Sequence, residues 1–167
     1  MKKPQEIDKI EIKWNNILPF NGFLAITFFG KMWIRKSNKN KWEQYLQDGR
    51  ADEVINHEMI HVKQALSTNN SWWKFYMLYI WYWLKANPLF NGFNFAYYMN
   101  PFEIEAYGNE SDLGYISENM YGTNEWTEYK ELKTYIKKEY WKAYLKKKKT
   151  EHISFSLYVR EYIKTTI

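Results

Sequence analysis

Val54-Ile55-Asn56-His57-Glu58-Met59-Ile60-His61-Val62-Lys63-Gln64 is the stretch on which the reading of this chain turns. Val54, Ile55, Met59, Ile60 and Val62 supply apolar positions at helical spacing, and Asp52 is a suitable N-cap. The pattern predicts a helix from about Asp52 to about Leu66, ended by the polar run Ser67-Thr68-Asn69-Asn70. On such a helix, positions 57 and 61 lie on one face, one turn apart. Two imidazoles placed so can hold one Zn²⁺, and Glu58 beside them can act on a zinc-bound water. The chain has 3 histidines. The one outside this motif, His152, lies far along the sequence.

Two histidines need a third protein ligand, with a fourth position left for water. The chain has no cysteine, which excludes thiolate zinc fingers, disulfide frameworks and cysteine nucleophiles. Carboxylates remain. Asn100-Pro101 predicts another helix start, with proline in the first turn, where its missing N–H does no harm. That helix carries Glu103 and Glu105, which are two residues apart and so point to widely different sides. Only one can face a metal. Ala106 lies three residues after Glu103 on the same face, where a small side chain lets the helix approach another closely. Glu103 is therefore the preferred ligand and Glu105 the second choice.

H-E-x-x-H followed by a helix reading E-x-x-A resembles the gluzincin zinc metallopeptidases. The resemblance implies that His57 and His61 are ligands, Glu58 the general base, Glu103 the third ligand and Ala106 the small residue. Many members read E-x-x-A-D there, and the Asp orients a zinc-ligating histidine. Tyr107 stands in its place, so either another acceptor does that work or the site is weakened. Residues 18–110 are also similar to small, largely uncharacterised bacterial proteins with an NHExxHxxQ and FExEAY pattern. The implied fold is α+β and zincin-like: an N-terminal hairpin or small sheet, then a mainly helical body with the HExxH helix. The implied activity is zinc-dependent hydrolysis of a peptide or protein substrate. The alternative is a catalytically inactive zinc-binding regulatory or membrane-surface module.

Other residues take supporting parts in this reading. Gln64, seven residues past His57, shares its helix face and belongs behind the ligands or at the rim of the site. Tyr97, Tyr98 and Tyr107 are candidate oxyanion donors. The strand Met32-Trp33-Ile34-Arg35 is a candidate edge for pairing with an extended peptide.

The remaining pattern fills in the architecture. Ile10, Ile12 and Trp14 alternate with Glu11 and Lys13 as a short strand would. Residues 18–22, including Asn21-Gly22, read as a turn and loop. Residues 23–29 and 32–35 read as a hairpin broken at Gly30-Lys31. Ser71 would cap an apolar helix, residues 89–99 would be loop, and residues 114–124 a linker. A long helix is expected over 125–148, with Tyr129, Leu132, Ile136, Tyr140 and Ala143 as its apolar stripe. Ser154 would cap a last helix. The expected organisation is one domain over 1–167, with a catalytic core at 18–113 and a helical extension at 125–167.

Aromatic residues make up 20% of the chain, so the core is expected to be built of rings more than of Leu and Val. The formal net charge is +5, with the lysines crowded into 137–149. That run is read as a solvated helix face, and no specific nucleic-acid partner is expected. No apolar run follows the basic N-terminal pair, so no signal peptide is expected. The apolar run that begins at Trp72 and ends at Leu84 is interrupted by Lys74 and is short for a bilayer span. It is expected to be core. Peripheral membrane contact, through this run or through Lys146, Lys147, Lys148 and Lys149, stays open beside a cytoplasmic location.

Overall fold

A computed structural model describes residues 2–19 and 23–166. The Phe20, Asn21 and Gly22 part of the expected loop lies outside the described residues. The chain is α+β: one three-stranded sheet near the N-terminus, then helices. Its contacts divide it into two compact units. One is Met1–Trp72 with Glu110–Thr123, the other Trp73–Asn109 with Asn124–Ile167.

The first unit holds the sheet, formed by β1 (Glu11–Asn15), β2 (Ala25–Phe28) and β3 (Lys31–Arg35). β2 and β3 form the expected hairpin, but its two-residue turn is Phe29-Gly30, not Gly30-Lys31, since Phe28 pairs with Lys31. Both turn residues have positive φ, 50° and 73°. That is the twist a tight hairpin favours. Gly30 is needed twice over, because an added Cβ would meet the Ile7 side chain at 2.8 Å. β1 pairs with β3 in parallel, so the order is β1-β3-β2. This corrects one expectation. β3 is the central strand, paired on both sides, and Met32-Trp33-Ile34-Arg35 cannot add a peptide strand.

Residues 42–47 belong to α1 (Lys39–Gln47). The HExxH helix is α2 (Arg50–Ser67). It starts before Asp52. Gly49, at φ 79°, is the N-cap, and Asp52 and Glu53 occupy the first turn, where the helix dipole favours them. α2 packs on α1, on β2 and on α7 (Tyr115–Glu118), a short helix within the expected linker.

The second unit opens with α3 (Trp72–Lys85), whose first residue belongs to the first unit. The expected loop at 89–99 is instead two short helices, α4 (Pro88–Asn91) and α5 (Phe93–Tyr98). Pro88 starts one, and Gly92, at φ 93°, both ends it and begins the next. α6 is Pro101–Asn109. The expected long helix over 125–148 is broken into α8 (Trp126–Tyr129) and α9 (Thr134–Thr150). The two pieces are anchored differently. α8 is held to α6 through the backbone N–H of Trp126, which donates to Glu105 at 3.2 Å. α9 is held by Lys137, whose ammonium donates to the Met99 carbonyl at 3.0 Å. The stripe shifts accordingly: Tyr144 is the buried residue of α9 and Ala143 is exposed. α10 (Phe155–Tyr158) carries the expected Ser154 cap, which accepts from Leu157 N at 3.1 Å.

Rings fill this second core. Tyr98 meets Phe155 at 4.7 Å between centroids, and Phe102 meets Trp126 at 4.6 Å and Phe75 at 5.0 Å. Such pairs each add roughly 0.5–1.5 kcal/mol beyond area burial. They fix α6, which carries Glu103, between its neighbours α8 and α10.

Candidate metal centre

The site begins on α2. His57, Glu58 and His61 are all buried there, and the two imidazole rings stand nearly perpendicular at 5.0 Å. Each ring is held by a separate acceptor. His57 Nδ1 donates to the Glu110 carboxylate at 2.8 Å, and His61 Nδ1 donates to Gln64 Oε1 at 2.7 Å. With the proton on Nδ1 in both rings, the lone pair is on Nε2, the form in which histidine binds a metal. Gln64 can do this because it lies one turn past His61 and is completely buried.

The acceptor at His57 is thus Glu110 and not Tyr107. Its backbone is fixed independently of its side chain. Asn56 Nδ2 donates to the Glu110 carbonyl at 2.9 Å and to the Asp112 carbonyl at 2.8 Å. One residue of α2 thus holds the chain segment that supplies the acceptor for the next residue, His57.

Glu103 lies in the first full turn of α6 and is buried. Tyr79 of α3 donates to its Oε1 at 2.6 Å. Tyr97 lies near it as well. Burial pushes the Tyr97 phenol well above its usual range, and the Glu103 charge adds to that shift, so Tyr97 keeps its proton. His57, His61 and Glu103 together form a buried group of possible metal ligands, with one ligand atom from each lying within 4.8 Å of the others.

The other named residues fall elsewhere. Glu105, the second-choice ligand, is fully buried. It accepts the Trp126 N–H and so anchors α8, and it is not among the three grouped ligands. Tyr107 packs edge-on against Phe155 at 5.2 Å, and its hydroxyl lies 3.5 Å from that of Tyr97. Tyr98 sits in the same ring cluster, stacked on Trp141.

Two supporting residues were not singled out from the sequence. Glu110 had no signal in local spacing, because its partner His57 lies 53 residues away. Tyr79 had none, being one of 15 tyrosines.

The donor set can be judged on its own chemistry. Two neutral imidazoles and one carboxylate are the ligand types that hold Zn²⁺ in hydrolytic sites. A second observation agrees with an occupied centre. Glu58 Oε2 is buried and has no hydrogen-bond partner among the described residues. A buried carboxylate oxygen left so costs on the order of 1–3 kcal/mol or more. It is an acceptor waiting for a group the polypeptide does not supply.

No protein family model, curated protein or solved structure matches the chain. What the residues themselves define is a buried group of two histidines and a glutamate, positioned to bind a metal ion.

Proposed function

We propose that the chain is a zinc-dependent peptidase with a zincin-like fold, in which Glu58 is the general base. The observation that carries the reading is the combination at one place of buried His57, His61 and Glu103 with the unpartnered oxygen of Glu58. His57, His61 and Glu103 would hold the ion. Zinc held there would supply a Lewis acid, polarising a carbonyl and making a nearby water more acidic.

The rest is the work of side chains. Glu110 and Gln64 keep the protons of both imidazoles on Nδ1. Tyr79 holds the Glu103 carboxylate in one orientation by its hydrogen bond to Oε1. Glu58 takes the proton of the attacking water at Oε2 and passes it to the leaving amine. Its burial helps, because a base without competing hydrogen bonds is ready to accept the proton.

The test is a mixed peptide library read by mass spectrometry, with zinc content measured on the same samples. The wild type should cleave, lose cleavage to a chelator and regain it with added zinc. Glu58→Gln should keep its zinc and lose cleavage by about 10²-fold or more. Cleavage by Glu58→Gln at the wild-type rate would overturn the mechanism, and full zinc retention by His57→Ala would overturn the site.

A further inference from the structure

The outer face of α3 is apolar where a surface helix is normally polar. Its inner face carries Phe75, which is buried, and Tyr79, which holds Glu103. At about 100° per residue, Trp73, Met77, Ile80, Trp81 and Leu84 fall within one arc of about 100° on the opposite side. All five are exposed, Met77 at 71% and Trp81 at 61%. The chain then turns into α4 and α5 and exposes three more large apolar side chains, Leu89, Phe90 at 86% and Phe93. Phe93 lies against Trp83 of α3 at 5.7 Å. The eight side chains expose on the order of 1,000 Å² at roughly 200 Å² for each fully exposed side chain, above the few hundred usual for the largest patch on a monomer.

The helices that build this surface carry lysines and no acid. No Asp or Glu occurs between Glu58 and Glu103. Lys74 and Lys85 are exposed and, at about 100° per residue, both fall at one edge of the apolar arc, near opposite ends of the helix. Lys137 of α9 is close enough to Lys85 for the two charges to repel. An apolar stripe with two tryptophans, edged by lysines and free of acids, is the pattern of a helix lying in the plane of an anionic bilayer surface. The lysine stems reach outward to the headgroups while the rings enter the acyl boundary. α3 has 14 residues, about 21 Å of helix, too short to cross the hydrocarbon core. No helix among the described residues is long and apolar enough to span a membrane.

We infer that the outer face of α3, continued by Leu89, Phe90 and Phe93, docks the protein on an anionic lipid surface. This inference is independent of whether the metal centre cleaves anything.

Flotation of the full chain with vesicles tests it. Vesicles of phosphatidylcholine with phosphatidylglycerol should bind the protein about thirtyfold better than phosphatidylcholine alone, the scale set by two lysines at an anionic surface. Binding should weaken with salt. The double variant Met77→Glu/Trp81→Glu should lose binding while keeping its circular dichroism spectrum and zinc content. Should that variant misfold, Lys74→Gln/Lys85→Gln carries the test and should lose most of the preference for anionic vesicles.

Three results would overturn the inference. The first is no binding at low salt. The second is binding by a folded variant equal to that of the wild type, which would move the contact elsewhere, such as to residues 146–149. The third is a stable dimer in sedimentation that Met77→Glu/Trp81→Glu converts to monomer, because the face would then belong to a second copy.

Discussion

Replacing Glu110 by Ala isolates the contribution of histidine orientation to metal binding. The carboxylate accepts from His57 Nδ1 at 2.8 Å, and the two side chains are only 9% and 16% exposed. The bond is charge-assisted and poorly accessible to water, so it belongs to the stronger class. Loss of such a partner typically weakens metal affinity 10–100-fold, or about 1.4–2.7 kcal/mol. The backbone at 110 should stay in place, because Asn56 holds the Glu110 and Asp112 carbonyls regardless of the side chain. The effect should therefore appear in zinc affinity more than in folding.

Competition titration against a chromophoric chelator measures it. Glu110→Ala should fall in the stated range. Glu110→Gln keeps an acceptor without the charge and should lose less. Gln64→Ala, which removes a neutral acceptor from His61, should lie near the weak end, at about tenfold. Thermal melts with and without excess zinc give a parallel readout, since the gain in stability follows the ratio of zinc concentration to Kd. Zinc affinity of Glu110→Ala within about twofold of wild type, well short of that range, would refute the claim that this carboxylate tunes the site.

Two further predictions concern pH. Burial alone would raise the Glu125 carboxyl, but hydrogen bonds from Tyr129, Lys164 and Asn109 outweigh it and hold the group below its usual value of 4.5. Its stabilisation is present above pH 4.5 and disappears as pH falls through the lower folded value, so urea denaturation of Glu125→Gln should converge with wild type in acid. Lys137 behaves in the opposite way. Burial, with Lys85 adding to it, lowers its ammonium to about 8 from 10.5. Between those values the unfolded chain binds more protons, so stability rises with pH across the window. Lys137→Met should flatten that rise; an unchanged slope would mean that the ammonium is solvated in the native state.

The parts of the site legible in the sequence are those set by local spacing. His57 and His61 share a helix face by arithmetic, and Pro101 marks the start of the helix carrying Glu103. The hairpin was legible because β-branched and aromatic residues flank a glycine, although its turn lay one residue earlier. Local pattern could not reveal Glu110, whose role depends on the chain returning to α2 after a long excursion. Nor could it reveal the parallel pairing of β1 with β3, which depends on a connection and not on a period. The break at residues 130–133 has the same origin: the apolar stripe runs through it, while buried Glu105 anchors one piece and the Met99 carbonyl the other. For α3, an apolar residue on every side says nothing of which side the core takes. The sequence favoured a core helix, and the structure instead buries one face and leaves the other exposed.

The hydrogen bonds from Asn56 and His57 to the segment at Glu110 also order the site in time. They join residues 54 and 53 positions apart. Closing a loop of that length costs on the order of 3–4 kcal/mol in chain entropy, and the bonds that offset it converge on one short segment. During synthesis the histidines emerge well before their acceptor. Until residue 110 has been made and has folded back, His57 Nδ1 lacks its Glu110 acceptor. Tight capture of a metal by this group would therefore come late in the life of the nascent chain, after the return of the polypeptide to the helix it left some fifty residues earlier.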